Sequence, residues 1–488
     1  MATEFTARFQ SAALDSGALY LLRAEGTERF SHLYEIQIDT EIVTDPQVVE
    51  NKLDAIMLAP ARVLLGEDSS LYGMIRAVEL QPMSRRDERP RYRFTLVPRL
   101  WTTTQTRRSR VFQQLAVPDI IKKVLTDDAA LTASDDFEIK FSGSYPVREY
   151  TVQYEETDFA FLSRLMEDEG IFYYFDHSKE RDFVVFTDSN DGCRKLDAHS
   201  ELRYRTSTTA ATSEHGVLEL RRRKSHVPAA VLMLDYNWST PSVPLEAKQA
   251  VAEGKIGAIV ITEENFNDLN NGKRLAKVRA EQIGSRVWQY EGTSRVQSLR
   301  AGDRFGLIEH FMASLDGEYL TVEVHHLVIQ RVEITGTPTN QGYTNTFVAI
   351  PAKVPFHPEQ ATPKPRVDGL VYATVDGPDT GLAAPIDEQG RYKLVMSFDT
   401  ASGSVAPGGA SRWVRMAQPL SGAGYGVHFP LHQGGEVVVS HIYGNPDRPI
   451  IVGAVPNAAT VSPVNKSNAT QSVIQTMTGI RIEFEDNA

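Results

Sequence analysis

The amino-acid sequence predicts a mainly β protein with inserted helices, an α+β chain of several barrel-like domains. Three observations lead there. Most of the first 350 residues fall into short β-branched or aromatic runs, such as 34–38, 91–97, 183–186 and 319–324, separated by Gly, Asp, Asn or Pro. Five prolines then occupy residues 351–365 (PAKVPFHPEQATPKP), the composition of an extended, stiff connector. After it, residues 367–457 hold five candidate strands, at 369–375, 391–398, 412–416, 435–441 and 450–455, with glycines at 422, 424, 426, 434 and 435 for tight turns. Five strands in about ninety residues fit an oligonucleotide/oligosaccharide-binding (OB) barrel.

Length and composition narrow the function classes. A chain of 488 residues predicts two to four domains, and 41% hydrophobic residues suffice for packed cores. No run of about eighteen apolar residues is present, so no membrane-spanning helix is expected. The first residues, MATEFTARFQSAALDSG, lack the charged start and apolar run of a signal peptide. The single cysteine, Cys193, excludes an intrachain disulfide, which places synthesis in a reducing compartment, and its thiol is expected to be inert. A net charge of −12 argues against a nucleic-acid protein. Two basic clusters oppose the trend: Arg85, Arg86, Arg89, Arg91 and Arg93 near Arg107, Arg108 and Arg110, and Arg221 to Lys224. Solvated edges or contact with acidic neighbouring subunits is the expected role of both.

Three helices interrupt the strands. One opens at Pro118 and carries Ile120, Ile121, Val124 and Leu125; another follows Asn270. The third has Thr157 or Asp158 as cap, an apolar stripe of Leu162, Leu165 and Met166, and a stop at Gly170. With strands at 150–154 and 171–175, it makes a strand–helix–strand unit. The domains expected are a region 1–350, a Pro-rich linker 351–366, the OB barrel 367–457, and 458–488 as a polar linker followed by one strand. In that strand Ile480, Ile482 and Phe484 alternate with Arg481, Glu483 and Glu485. A period of two gives one apolar and one charged face, and the apolar face needs a partner.

Five stretches then stand out: 148–176 (REYTVQYEETDFAFLSRLMEDEGIFYYFD), 355–369 (PFHPEQATPKPRVDG), 387–394 (DEQGRYKL), 412–439 (RWVRMAQPLSGAGYGVHFPLHQGGEVVV) and 444–457 (GNPDRPIIVGAVPN). In this order they resemble the VgrG family, the trimeric spike of bacterial type VI secretion, and are similar to hub and needle-base proteins of contractile phage tails. The chain departs from the family pattern at 383–386 (AAPI) and 397–399 (SFD), which suggests a divergent branch. The resemblance implies a two-barrel hub, an OB barrel and the first strand of a trimeric β-prism needle, with Ile480, Ile482 and Phe484 facing the axis. It implies a homotrimer that caps a hexameric inner tube of Hcp-like protein. It would meet baseplate proteins, a PAAR-type tip protein and effectors or their adaptors, and bind no nucleic acid. Assembly in the bacterial cytoplasm and export into a target cell or the medium follow. The same hub serves phage tails and extracellular injection machines, which stay open as alternatives.

The residues offer little chemistry, and no catalytic, cofactor or metal residue is expected. Glu155, Glu156 and Asp158 sit at a helix N-terminus, where negative charge is favoured, and Glu167, Asp168 and Glu169 at its other end are expected to be solvated. A glycosidase would need two carboxylates across a cleft. His428 and His432 lie in a glycine- and proline-broken strand–loop rather than on a helix where i, i+4 would align them, the three histidines 428, 432 and 441 have no defined acidic or sulfur partner for a metal, and His325 and His326 point to opposite faces of a strand. Asp303, His310 and a serine make a triad only on paper, without a G-x-S-x-G elbow. Gly422 to Gly426 reads as tight turning. Two other classes remain open: an OB module binding saccharide or single strands through Trp413 and Tyr425, and an enzyme-bearing spike.

Overall fold

The computed structural model describes residues 7–486 apart from 67–68, 84–88, 197–199, 206–215, 331–341, 379–382 and 402–404. Two compact units emerge: Met1–Thr106, Val117–Pro146 and Thr157–Pro363 form the first, and Arg107–Ala116, Val147–Glu156 and Lys364–Ala488 the second.

The first unit is built on one 13-stranded sheet. Its path runs Arg8–Ser11, Pro60–Leu64, Ser70–Leu80, Arg91–Val97, Glu35–Ile42, Leu19–Arg29, Gly317–Ile329, Gly342–Pro351, Trp288–Ser294 and Val217–Lys224. Alternation decides its faces. In Glu35–Ile42 (EIQIDTEI) the even-numbered residues are buried, while Glu35, Gln37, Asp39 and Glu41 face out. The first basic cluster is absorbed there: Arg93 Nε lies 2.7 Å from Asp39, and Arg91 and Arg89 lie 3.7 and 3.8 Å from Glu41. Arg85 and Arg86 lie outside the described residues. The second cluster is spent on Val217–Lys224, where Arg221 faces Glu291 at 3.7 Å and Lys224 faces Glu253 at 2.8 Å.

Helix Asp158–Glu169 starts where the Thr157 hydroxyl accepts the Ala160 N–H at 3.1 Å, and stops at Gly170, whose φ of 78° is left-handed. A Cβ on Gly170 would come within 2.5 Å of Val278, so both backbone and space require glycine. The acidic end of this helix is buried, contrary to its expected solvation. Arg274 of helix Leu269–Gly284 pairs with Glu169 at 2.5 Å, and Arg279 donates to the Glu167 carbonyl at 2.7 Å. Glu167 in turn accepts the backbone and hydroxyl donors of Thr362 at 2.9 and 2.7 Å, and Gln360 donates to Asp168 at 2.8 Å. Helix-end carboxylates far from any positive dipole are tolerable in the interior because cations and donors surround them. Burial raises the Glu167 carboxyl above its ordinary value, against the pull of Thr362. The Pro-rich segment is thereby fastened along its length, with His357 bonded to the Gly170 carbonyl at 2.7 Å.

The expected strand–helix–strand unit is split. Phe172–Asp176 pairs with Phe183–Thr187 in the first unit, whereas Arg148–Thr157 pairs with Arg107–Leu115 in the second. The reason lies in the partners of that strand. The Val152 N–H donates to the Asp447 carboxylate at 2.7 Å, Glu149 pairs with Arg412 at 3.1 Å, and the Tyr154 ring meets Phe398 edge-on.

The second unit has a four-stranded antiparallel sheet in the order Leu394–Met396, Val371–Val375, Glu436–His441, Pro449–Ala454. Its core includes Val375, Tyr392, Leu394, Val437, Val439 and Ile451. Residues 412–416, expected as a fifth strand, make only isolated bridges: Val414 exchanges both bonds with Tyr392, and Met416 pairs with Ile451. The segment changes partner within three residues, so no continuous ladder forms. Residues 471–474, expected in the linker, open a further strand, Gln471–Gln475.

A buried polar network sits within the first unit. Glu28 accepts from His177 at 3.0 Å and His326 at 2.7 Å, with Arg300 Nε at 3.5 Å. His326 Nδ1 meets the Tyr343 hydroxyl at 2.6 Å, and Asn345 donates to that hydroxyl at 3.0 Å. Despite its burial, Glu28 is held far below the ordinary carboxylate range by His177 and His326. Burial outweighs the Glu28 carboxylate at His326 and pushes the ring down to about 4.

The sign of the pH effect follows. Between pH 6.5 and 4 the unfolded chain binds a proton at residue 326 that the folded chain does not. The contribution of His326 to stability is therefore full above pH 6.5 and falls by up to about 3 kcal/mol towards pH 4. Below that, protonation of Glu28 in the unfolded chain removes more. Urea unfolding of the wild type and of His326→Gln at a series of pH values is expected to show that the variant loses this residue's share of the slope between pH 6.5 and 4. In the second unit, Asp447→Ala strands the buried Val152 N–H and is expected to cost about 1–3 kcal/mol in the same assay.

Candidate assembly surface

The sequence singled out Ile480, Ile482 and Phe484, and the structure places them on a two-stranded hairpin. Gln471–Gln475 pairs antiparallel with Arg481–Glu485, with Ile474 opposite Ile482 and Ser472 opposite Phe484. The turn is closed by the Thr476 N–H donating to the Ile480 carbonyl at 2.8 Å, with Gly479 at φ 92°. Alternation then puts Ile474, Ile480, Ile482 and Phe484 on one face. All four are 47–69% exposed.

The opposite face is polar and internally bonded. Arg481 Nε donates to Glu483 at 2.6 Å, Gln471 donates to Glu483 at 2.6 Å, and Thr470 to Glu485 at 2.6 Å. Arg481 and Glu483, expected to pair between chains, thus already pair within one. Ile474 was missed because its strand lies in a stretch read as polar linker. The strand's apolar residues, Val473 and Ile474, are adjacent and show no period of two, so a β-branched pair between polar residues was the only local signal.

The chemical candidates are placed in structural roles. His428 meets the buried Tyr392 hydroxyl at 3.1 Å and accepts from Gln418 at 2.7 Å. His441 is buried at the end of its strand, and desolvation pushes its ring down to about 4. Among the described residues no group of three His, Cys, Asp or Glu side chains gathers as metal ligands. Asp303 is buried in a bidentate pair with Arg194 at 2.8 and 3.1 Å, and burial raises its carboxyl to about 6. His310 holds the Met312 N–H at 3.0 Å. Cys193 is buried and its thiol is pushed up to about 12 by desolvation. His325 and His326 do face opposite ways, the first half-exposed and the second enclosed. Trp413 lies under the Lys393 ammonium at 5.2 Å, while Tyr425 is exposed on a projecting loop. No helix is long and apolar enough to cross a membrane among the described residues.

Comparison with known proteins places this geometry. The phage tail baseplate hub (GPD) family matches residues 27–332, and the type VI secretion system/phage-baseplate injector OB domain matches 387–455. The type VI secretion system spike protein VgrG1b of Pseudomonas aeruginosa is 30% identical over 94% of this chain and 61% of its own length. The chain thus spans about three fifths of that relative. Among solved structures, the E. coli c3393 protein, a type VI secretion component similar to phage T4 tail proteins gp27 and gp5, has a TM-score of 0.64 at 22% identity, covering 92% of this chain and all of that one. A chain of the Francisella PdpA–VgrG complex has a TM-score of 0.62 at 8% identity, covering 99% and 83%. With the hub family matching well over half its length, the chain belongs to the phage tail baseplate hub family, and it is similar to VgrG spike proteins along nearly all of its residues.

Proposed function

We propose that the protein acts mechanically, as a trimeric spike of a type VI secretion machine. In this reading the first unit is a two-barrel hub, three copies of which present a sixfold-like base to a hexameric inner-tube protein of the Hcp kind. The C-terminal hairpin roots a three-chain β-prism needle, with Ile480, Ile482 and Phe484, joined by Ile474, at the axis. The observation that carries the reading is the hairpin's apolar face, exposed to solvent on a chain that aligns with VgrG1b over 94% of its residues. Such a face needs covering, by other copies or by another part of a longer chain, and in the spike reading a closed prism of three copies covers it and also removes free strand edges.

A PAAR-type tip protein, baseplate proteins and effectors or their adaptors are the further partners. The Francisella relative's complex with PdpA supports the capacity of this fold to carry another protein. Assembly in the cytoplasm followed by export completes the proposal. A phage-tail hub is the second reading, favoured by the match of residues 27–332 to that family.

The decisive experiment mixes purified chain with the inner-tube protein encoded in the same genome and images the product. Threefold density capping one tube end is expected; tubes that stay bare overturn the spike reading. Ile482→Asp puts a charge on the hairpin axis and removes about 1.5–3 kcal/mol of apolar burial per chain. Its oligomer is expected to dissociate at higher concentration than the wild type in light scattering.

A further inference from the structure

We propose that residues 417–431 form a docking finger that lies on the outer face of the OB sheet of a second copy of this chain. The proposal deepens the spike reading and rests on it. It names a contact separate from the hairpin.

The finger is a short hairpin in which Ser421 pairs with Gly426 and Gly422 with Tyr425. Gly424 at φ 80° makes its tip, and a Cβ on Gly422 would fall within 2.4 Å of the Tyr425 ring, so that ring lies against the glycine. Its base is rigid. Tyr392, fully buried, receives the Leu431 N–H at 3.1 Å and meets His428, which Gln418 also holds. Beyond that base, residues 419–427 make no hydrogen bond to the rest of the described residues. Tyr425 and Phe429 are 68% and 56% exposed, and Leu420 and Val427 are exposed beside them.

Composition shows that water is not the intended surroundings. Between Arg415 and Glu436 no Asp, Glu, Lys or Arg occurs, in a chain that is 23% charged. A two-residue ladder carrying four exposed apolar side chains is not stable as a free arm. Single-stranded nucleic acid would need cations beside the aromatics, and the finger has none.

The receiving surface is the solvent side of the four-stranded sheet. Its strands carry one charged residue, Glu436. The outward positions include Tyr372 and Val452, both exposed, with Val438 and Ile450 half-buried and Leu370 exposed just before the strand. Two different apolar patches on one unit fit each other head to tail between copies, the arrangement that closes a ring. The occupant is a second copy because both uncharged patches lie on the same unit of one chain, and the proposed needle would hold copies of that unit side by side.

The test is light scattering of the full chain over a dilution series. The double variant Tyr425→Asp with Phe429→Asp, and Tyr372→Asp alone, are each expected to raise the dissociation midpoint by roughly 30-fold or more. These side chains are exposed, so each variant is expected to keep the wild-type unfolding midpoint. In addition, a Phe429→Cys chain mixed with a Tyr372→Cys chain is expected to form a disulfide-linked pair under mild oxidation, while neither does so alone. Buried Cys193 does not compete. Unchanged midpoints and no cross-link, with assembly lost only on Ile482→Asp, overturn the finger contact and leave the spike reading intact. A wild-type chain that is monomeric throughout, without the cross-link, overturns the contact as well. The spike reading is then judged separately by tube capping.

Discussion

The first unit depends on the antiparallel pairing of Leu19–Arg29 with Gly317–Ile329, strands about 300 residues apart in the chain. Their register sets Gly26 against His326 and Glu28 against Val324. That register carries Glu28 inward, where His326, His177 and Arg300 converge on one carboxylate from three separate segments. A slip of one residue would turn Glu28 to the solvent face and leave two buried rings and a guanidinium without their acceptor. The apolar alternation of the two strands favours this pairing weakly. The buried charge makes every other pairing expensive, so it fixes which halves of the chain meet and how.

The legible parts of the sequence were those with local causes. Thr157 and Gly170 bound their helix because capping and left-handed termination are decided within four residues. The OB strands at 435–441 and 450–455 were visible from alternation. What escaped was long-range. Nothing near Glu167 to Glu169 foretells that Arg274, Arg279 and Thr362 will surround that helix end, since the partners lie 105 to 195 residues away. Glu28 carries no local sign of burial, as it stands in a strand whose other charges, Arg23, Glu25 and Arg29, are exposed. The excursion of 107–116 and 147–156 into the second unit is likewise a matter of tertiary partners, because their β propensity fits either unit equally.

At the candidate surface the same division holds. Ile480, Ile482 and Phe484 were legible because a period of two needs only one strand. Ile474 was not, because the composition of 458–474, rich in Asn, Ser and Thr, masks a short strand inside it. Val473 and Ile474 are adjacent, so the strand carries no period of two that a single-strand reading could have found.

The distribution of charge within this one chain bears on what its surfaces are for. The outer face of the large sheet is laced with cross-strand pairs such as Arg93 with Asp39 and Arg76 with Glu35, the way a sheet meets water. The four-stranded sheet of the second unit leaves its solvent side nearly uncharged. Both surfaces belong to one polypeptide in one solvent, so general composition does not account for the contrast. A sheet that is to remain wet gains from such pairs, since they raise the cost of edge pairing and of stacking with other chains. A sheet that is to be covered loses by them, because each charge would have to be desolvated or matched on the partner. The near absence of charge from the OB sheet, the finger and one face of the hairpin is therefore one pattern expressed three times, and it is the pattern that the proposed contacts between copies require.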